Sequence, residues 1–299
     1  MYQQFIDQFI QQELLPDAYR QDISRWYLPL VAELDALRQH TAPATLLVGI
    51  NGAQGTGKST LAKLLVQLLR SRNRHAVQLS IDDFYLGKPQ RAQLGQQVHP
   101  LLATRGVPGT HDVQRLLQTL QALSGAAADT DIVLPGFDKA SDDTMAPAQC
   151  RKVRGPVDII ILEGWFIGAQ PQAVADLQEP LNTLEQTEDK DGSWRRYVNA
   201  QLGGDYQQVF ARMHKLIMLQ APGFEQVLEW RSLQEQKLRQ STRSNGGMDA
   251  NQIGRFIQHF ERLTRHCLQT LPQRANIVFE LNQQHQVVNR TDNASAQTR

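Results

Sequence analysis

The segment that most constrains this chain is GAQGTGKS at residues 52–59, which fits the pattern GxxxxGK(S/T) at every fixed position. An apolar, β-rich run at 45–50 precedes it, and the helical pattern STLAKLLVQLL follows it. Glycines let successive backbone N–H groups turn around phosphate oxygens, and the following helix directs its positive dipole end at the same anion. The sequence therefore predicts a phosphate-binding loop (P-loop) between a strand and a helix.

The residue types of this loop also predict its ligands. Lys58 is expected to contact the β- and γ-phosphates of ATP, and the Ser59 hydroxyl is expected to bind Mg²⁺. A glycine turn without a nucleotide is the alternative, and the strand–loop–helix context disfavours it. The expected nucleotide-binding residues are Gly52, Ala53, Gln54, Gly55, Thr56, Gly57, Lys58, Ser59 and Thr60.

Five β-rich runs, at 45–50, 76–81, 157–162, 215–219 and 276–281, alternate with helical patterns. This alternation predicts an α/β fold of the P-loop NTPase type, in which a doubly wound, mainly parallel sheet carries helices on both faces. We expect a helical N-terminal extension at 1–42, a P-loop domain at 43–288 with a lid at about 221–245, and a flexible tail at 289–299. Residues 183–193 read as a polar loop.

Composition narrows the class of protein. The 299 residues are 41% hydrophobic, enough for a substantial core, and the net charge of +1 provides no field to attract nucleic acid or an anionic membrane. The longest apolar run, at 159–162, is too short to cross a bilayer, and the two cysteines form no CxxC pattern. We expect a soluble, cytoplasmic protein with no nucleic-acid or membrane partner, whose oligomeric state the sequence leaves open.

Carboxylates follow two of the predicted strands. Asp82 and Asp83 come after the strand at 76–81, and Glu163 comes after the strand at 157–162. In an open α/β sheet this edge binds ligands. Glu163 fits the Walker B position, which holds Mg²⁺ directly or through water. One aspartate can take the proton of a substrate hydroxyl while the other orients the metal's water shell or binds substrate, although both can instead cap a turn.

The ordered segments GINGAQGTGKSTLAKLL, LSIDDFYL, TRGVPGTHDV and ILEGWFIG together resemble the plant and fungal D-glycerate 3-kinase family. That family is related to phosphoribulokinase and uridine kinase, and the similarity extends from about residue 46 to residue 281. The resemblance implies that Asp82 is the catalytic base, with Asp83 in support. Lys58 and Glu163 complete the expected catalytic set, and Asp82 joins Ser59 and Glu163 as a candidate metal ligand.

Two further segments suggest an acceptor site. RGVPGTHD at 105–112 is close to the family's RGxPGTHD signature, and PGFDK at 135–139 resembles its PxYDK element, with Phe137 where tyrosine is usual. The Arg105 guanidinium suits a carboxylate, and Lys139 suits either the substrate acid or the transferring phosphoryl group. The remaining expected substrate contacts are His111, Asp112 and Asp138, and Asp112 can alternatively cap the helix that follows it.

The pattern EQVLEWRSLQEQKLRQ lies where related kinases carry a mobile lid. Arg231 and Arg239 share one helical face with Glu235, so these arginines are expected to reach the phosphates; exposed ion pairs are the alternative. His285 follows the last strand, where related kinases often receive adenine.

These observations predict transfer of the γ-phosphoryl group of ATP to a hydroxyl of a small acid, with D-glycerate as the leading acceptor. A nucleoside, pantothenate or a sugar phosphate is the alternative acceptor. A nucleotide-hydrolysing switch is disfavoured because no NKxD pattern follows the P-loop, and a degenerate binding module is disfavoured because Lys58, Ser59 and Glu163 are all present.

Overall fold

The computed structural model describes residues 2–242 and 250–293, and it describes their side chains except at residues 2, 234–242, 250 and 251. A six-stranded sheet in the order β10-β9-β8-β1-β7-β2 organises this part of the chain. Its strands are β1 (Leu46–Gly52), β2 (Ala76–Ser80), β7 (Ile159–Gly164), β8 (Lys215–Gln220), β9 (Ile277–Leu281) and β10 (Val287–Asp292). All neighbours are parallel except β9 and β10. Two small antiparallel pairs, β3 (Asp131–Val133) with β6 (Lys152–Arg154) and β4 (Phe137–Asp138) with β5 (Asp143–Thr144), lie outside it.

Helices cover both faces of the sheet. Three of them, with a π-helical turn at Ile23–Tyr27, precede β1. The helices are α1 (Tyr2–Gln12), α2 (Tyr19–Asp22), α3 (Leu28–Thr41), α4 (Lys58–Arg70), α5 (Lys88–Gln97), α6 (Val113–Gly125), α7 (Thr183–Glu188), α8 (Ser193–Leu202), α9 (Asp205–Phe210), α10 (Phe224–Thr242) and α11 (Ala250–Thr270).

The sequence of the central strands explains this arrangement. Every residue of β1 and of β7 is buried. Successive side chains of a strand point to opposite faces, and accordingly Ile160 and Leu162 pack in one hydrophobic core whereas Ile159 and Ile161 pack in the other. A strand that is buried on both faces needs helices on both sides, which is the doubly wound architecture that the sequence predicts.

The strand register brings the predicted functional segments together. Glu163 pairs with Ile50 of β1 on one side and with Ser80 of β2 on the other. The P-loop, Glu163 and the Asp82–Asp83 turn therefore leave the sheet at the same edge, the carboxyl end of three adjacent parallel strands.

Residues 183–193, expected as a polar loop, instead contain α7 and the start of α8. Two of their acidic side chains are buried in ion pairs: Glu185 binds Arg262, and Asp189 binds Arg195. The prediction was wrong because charged residues held in buried pairs look, in sequence, like a solvated segment.

The tail expected at 289–299 is also corrected. β10 continues to Asp292 and pairs antiparallel with β9, so the sheet extends past residue 288, while residues 294–299 lie outside the described part of the chain. Arg290 of this edge strand donates to Glu33 of α3 at 2.8 Å and lies over the Phe279 ring at 5.8 Å. Most β10 side chains are exposed, and their polar pattern resembled a tail.

Candidate active site

The P-loop joins the end of β1 to the start of α4. Gly55 and Gly57 adopt φ values of +84° and +86°, a left-handed conformation that side chains with a Cβ rarely adopt. The Thr56 hydroxyl donates to the Ala53 carbonyl at 2.8 Å, which fixes the turn internally. Lys58 is the first residue of α4, so the predicted cradle has the strand–loop–helix form that phosphate binding requires.

Ser59 and Glu163 meet beneath this loop. The Ser59 hydroxyl donates to Oε1 of Glu163 at 2.7 Å. Glu163 is only 3% exposed, and its Oε2 has no hydrogen-bond partner within the described residues. A buried carboxylate oxygen without a partner, next to a hydroxyl, matches the oxygen ligands that Mg²⁺ prefers.

The rest of a magnesium shell would come from outside the protein. No group of three or more His, Cys, Asp or Glu residues in the described part of the chain is placed to hold a metal ion. Mg²⁺ commonly uses one or two protein ligands and completes its shell with water and substrate phosphates. The residues present therefore fit a magnesium–nucleotide complex.

Asp82 lies beside the P-loop with both carboxylate oxygens engaged. Oδ1 accepts from the Tyr85 hydroxyl at 2.9 Å, and Oδ2 accepts from Nζ of Lys139 at 2.7 Å. Burial alone would raise the pKa of Asp82, but the charges of Lys139 and Lys58 and these hydrogen bonds outweigh it and lower the pKa to about 2. Asp82 is therefore ionised at neutral pH.

Asp83 plays a more local part. Its Oδ2 accepts from the Ser80 backbone at 3.3 Å and closes the capping box of the short 3₁₀ turn at Ile81–Phe84. Burial, helped by the neighbouring carboxylates of Asp82 and Glu163, raises the pKa of Asp83 to about 6. The turn-capping alternative thus describes Asp83, which shapes the turn that carries Asp82.

Arg105 contacts an aspartate that the sequence analysis missed. Its guanidinium pairs with Oδ1 of Asp142, while NH2 of the buried Arg91 lies 2.9 Å from Oδ2 of the same residue. Both guanidinium groups lie over the ring of Phe137, at 5.5 and 5.7 Å. Phe137 therefore supports the two arginines. No sequence pattern marks Arg91 or Asp142, because neither belongs to a motif.

Lys139 sits on the connection between β4 and β5. The Asp138 carboxylate accepts from the backbone of Ala140 at 3.0 Å and from the Ser141 hydroxyl at 2.6 Å, and these bonds, led by the one from Ser141, lower the pKa of Asp138. The Asp138 side chain, expected to bind substrate hydroxyls, is thus occupied in forming the turn. That turn presents Lys139 to Asp82.

His111 lies behind Tyr85. The two rings stack with centroids 4.5 Å apart, and Nδ1 of His111 is 2.8 Å from the Tyr206 hydroxyl. Burial lowers the pKa of His111 to about 3, so the ring is neutral. Asp112 next to it caps α6, because its Oδ1 accepts from the Arg115 backbone at 2.9 Å, as the alternative for Asp112 foresaw.

The predicted lid begins with α10. Trp230 of this helix is buried against the P-loop, where a Cβ added to Gly55 would come within 2.7 Å of the Trp230 Cβ. Nε1 of Trp230 donates to the Gln283 carbonyl at 3.0 Å, and its ring stacks on His285 at 4.1 Å. Arg231 follows on the same helix, whereas the side chains of Glu235 and Arg239 lie outside the described residues.

Tyr85 and Asn51 are the other contributors that the sequence analysis did not assign. Tyr85 belongs to the LSIDDFYL segment, so its position next to Asp82 was available in the motif. Asn51, buried at the end of β1, donates to the carbonyls of Trp165 at 3.3 Å and Ile167 at 2.9 Å, and so supports the chain that follows Glu163. Asp158 lies at the opposite end of β7, where it binds Arg38, as expected of a structural residue.

Comparisons with known proteins find related kinases, although no protein-family model matches the chain. The uncharacterized kinase mug58 of Schizosaccharomyces pombe is 32% identical over 221 residues, which cover 72% of this chain and 78% of the relative. The chloroplastic D-glycerate 3-kinase of Arabidopsis thaliana is 26% identical over 238 residues, covering 76% of this chain and 48% of the relative. The solved structure of D-glycerate 3-kinase from Cryptococcus neoformans has a TM-score of 0.72 at 24% identity, over 88% of this chain and 96% of that one.

Fold, site and relatives together define a P-loop kinase, an ATP-dependent phosphotransferase with an alcohol group as acceptor and a small molecule as substrate. More narrowly, the chain belongs to the family of P-loop kinases that includes the plant and fungal D-glycerate 3-kinases. Both the predicted fold class and the predicted resemblance are confirmed. Among the described residues, no helix is long and apolar enough to span a membrane.

Proposed function

We propose that this kinase transfers the γ-phosphoryl group of ATP to a hydroxyl of a small hydroxy acid, with D-glycerate as its acceptor. The observation that carries the proposal is the position of Asp82. It lies beside the P-loop, hydrogen-bonded to a lysine on a turn that Arg105 also reaches through Asp142. One carboxylate for a hydroxyl and two cations for an acid group thus converge next to the nucleotide site. Relatives named D-glycerate 3-kinase support the choice of acceptor.

The nucleotide binds at the P-loop in this proposal. The backbone of residues 52–57 and Lys58 hold the triphosphate, with its β- and γ-phosphates toward Lys58. Ser59 and Glu163 would hold Mg²⁺, which would neutralise charge on the phosphate oxygens. Asp82, also considered as a metal ligand, is assigned to the acceptor because the lysine that contacts it, Lys139, is the one proposed to bind the acid group of the acceptor.

The transfer step assigns the proton to Asp82. The acceptor hydroxyl gives its proton to the ionised carboxylate as its oxygen bonds to the γ-phosphorus, and the bond from that phosphorus to the β–γ bridging oxygen breaks. ADP keeps the electron pair of the broken bond. Asp83 does not touch the acceptor in this scheme, since it holds the turn that positions Asp82.

The acid group of the acceptor binds to Arg105 and Lys139. Arg105 supplies a planar pair of N–H donors that matches a carboxylate, and Lys139 supplies a mobile point charge. Arg231 of α10 is assigned to the phosphates, on the side of the lid, where closure would exclude water. The side chain of Arg239, given the same role from the sequence, lies outside the described residues. His111 supports Tyr85 by stacking, and Asp112 and Asp138 support the backbone on which these groups stand.

A panel of acceptors tests the proposal. ADP release with Mg-ATP would be measured with D-glycerate, L-glycerate, uridine, pantothenate, ribulose 5-phosphate and simple sugars, against a control without acceptor. Selective stimulation by D-glycerate is the expected result. Selective stimulation by another acceptor would replace the substrate and keep the kinase chemistry, and turnover that ignores every acceptor would point to a nucleotide hydrolase.

A further inference from the structure

The two cations proposed to bind the acid are already paired in the acceptor-free enzyme. Arg105 contacts Asp142, and Lys139 contacts Asp82. A carboxylate entering the site must therefore take these cations from aspartates of the protein. Each cation can leave its aspartate readily only if that aspartate keeps another hydrogen-bond or charge partner.

Asp142 keeps a second cation. Arg91, which is almost fully buried, places NH2 2.9 Å from Oδ2 of Asp142 and donates from the same guanidinium to the Asp142 carbonyl at 2.6 Å. Two further donations, to the carbonyls of Leu86 at 3.0 Å and Ala103 at 2.9 Å, fix Arg91 in place. Arg105 can therefore turn toward a ligand without leaving Asp142 unpaired.

Asp82 likewise keeps partners. The Tyr85 hydroxyl donates to Oδ1, and the charge of Lys58 remains nearby. Lys139 itself is 61% exposed at the tip of its turn, whereas Asp82 is 27% exposed. The long lysine stem and its exposed position allow the ammonium group to move, while Asp82 is held from behind.

We propose that Lys139 and Arg105 exchange partners when the acceptor binds: they cover Asp82 and neutralise Asp142 in the free enzyme, and they move to the acceptor's carboxylate in the complex. This inference rests on the proposed function, since it requires an acid as acceptor. It assigns Lys139 a second task, which is to keep Oδ2 of Asp82 closed to water until an acid arrives.

This change of partners determines whether the γ-phosphoryl group is transferred to the hydroxy acid or to water. With a hydroxy acid bound, the acceptor oxygen bonds to the γ-phosphorus, its proton goes to Asp82, and the products are a phosphomonoester and ADP. If water reached the same oxygen of Asp82, water would give up its proton there and the products would be inorganic phosphate and ADP. Lys139 at 2.7 Å from Oδ2 occupies the place that this water would need.

The test is ADP release from Mg-ATP without any acceptor, measured for the wild type and for Lys139→Met. Methionine preserves most of the side-chain length and removes the charge and the donors. We expect acceptor-independent hydrolysis to rise about three- to tenfold, in line with the strength of a half-exposed ion pair, and the KM for D-glycerate to rise as well. Lys152→Met, which removes an exposed lysine of β6, is the matched control and should change neither value.

A double variant tests whether the extra acceptor-independent hydrolysis depends on Asp82. Adding Asp82→Asn to Lys139→Met should remove the extra hydrolysis; a gain that survives this change would overturn the proposal. Unchanged acceptor-independent hydrolysis in a folded Lys139→Met protein would overturn it too. Because this measurement uses no acceptor, it is separate from the proposed function, which fails instead if no acid stimulates the wild-type enzyme.

Discussion

In the proposed mechanism, Lys58 and Asp82 have separate tasks and stand on different elements. Lys58 begins α4 and belongs to the phosphate cradle, whereas Asp82 stands on the turn after β2 and faces Tyr85 and Lys139. Their charges interact, since Lys58 contributes to the low pKa of Asp82. Each can nevertheless be changed without removing the other's contacts.

Lys58→Ala and Asp82→Asn should therefore fail in different ways. Lys58→Ala should weaken ATP binding and abolish measurable turnover, because the β- and γ-phosphates lose their cation. Asp82→Asn should keep ATP affinity near the wild-type value and lower the transfer rate about 10²- to 10⁴-fold, because a general base is lost. Titration calorimetry with ATP and steady-state rates separate the two effects. An equal loss of nucleotide affinity in both variants would contradict this division.

Among individual residues, the sequence indicated those that belong to motifs and missed those whose side chains hold the motif residues in place. The contact of Ser59 with Glu163 follows from two motifs at adjacent strand ends, and the strand register brings them together. Arg91 and Asp142 carry no such signal. Arg91 lies on a helix and donates to carbonyls of a loop and of a hairpin, and these contacts depend on the folded structure and not on a local motif. Asp138 was placed in the right region, but its side-chain partners depend on a turn that the motif does not specify.

At the scale of elements, α10 links the P-loop to the β9–β10 hairpin. Trp230 contacts the loop at Gly55, donates to Gln283 and stacks on His285. One residue thus lies against the P-loop through its backbone and Cβ and holds the connection after β9 through its indole. Movement of the helix should therefore be coupled to the shape of the P-loop.

Trp230→Ala should loosen this connection. Removing a tryptophan that is 2% exposed costs about 3–5 kcal/mol in typical cores, so we expect a lower melting temperature and weaker ATP binding. Leu233→Ala on the same helix is the control, since Leu233 is exposed and its truncation should have little effect. Thermal unfolding with and without Mg-ATP measures both quantities; wild-type affinity in a folded Trp230→Ala protein would argue against the coupling.

The N-terminal helices dock on the sheet through a buried carboxylate. Asp22, at the end of α2, accepts from the Val287 backbone at 3.3 Å, while its Oδ2 has no hydrogen-bond partner within the described residues. Burial raises the pKa of Asp22 to about 6. The folded state thus prefers the protonated acid, and the stability this provides is complete below pH ~4 and lost as pH rises through ~6.

Asp22→Asn should stabilise the protein at pH 7.5 by about 1–3 kcal/mol, because asparagine stays neutral and can still accept from Val287. At pH 4.5 the gain should be much smaller, since the aspartate is then largely protonated in the folded state. Urea unfolding of both proteins at both pH values measures the difference. A gain that does not depend on pH would show that the charge of Asp22 is not its cause.

At the scale of the whole molecule, the sequence predicted the five parallel strands, and it missed the edge strand β10 and the helix α7. Continuous apolar runs mark β1 and β7 because both faces of these strands are buried. β10 lacks that signal, since an edge strand exposes most of its side chains. Likewise, α7 looked like a loop because its Glu185 and the neighbouring Asp189 are neutralised by arginines distant in sequence or on the next helix.

A chain ending at residue 288 tests the corrected boundary. It would lose most of β10, including Arg290 and its contacts with Glu33 and Phe279, and would leave β9 as an unpaired edge. We expect its melting temperature to fall by about 3–5 °C, equivalent to roughly 2–3 kcal/mol for a chain of this size. Calorimetry of the truncated and full-length proteins provides the comparison, and identical transitions would mean that β10 adds nothing to the fold.

In the proposed reaction, the γ-phosphoryl group of ATP passes to an acid held beside Asp82. ³¹P NMR of the enzyme with Mg-ATP and D-glycerate tests it most directly, because the spectrum distinguishes a phosphomonoester from inorganic phosphate. We expect the γ-phosphate signal to be replaced by one phosphomonoester signal as ADP forms, and Asp82→Asn to slow this conversion. Inorganic phosphate as the sole new product, at a rate independent of D-glycerate, would contradict it.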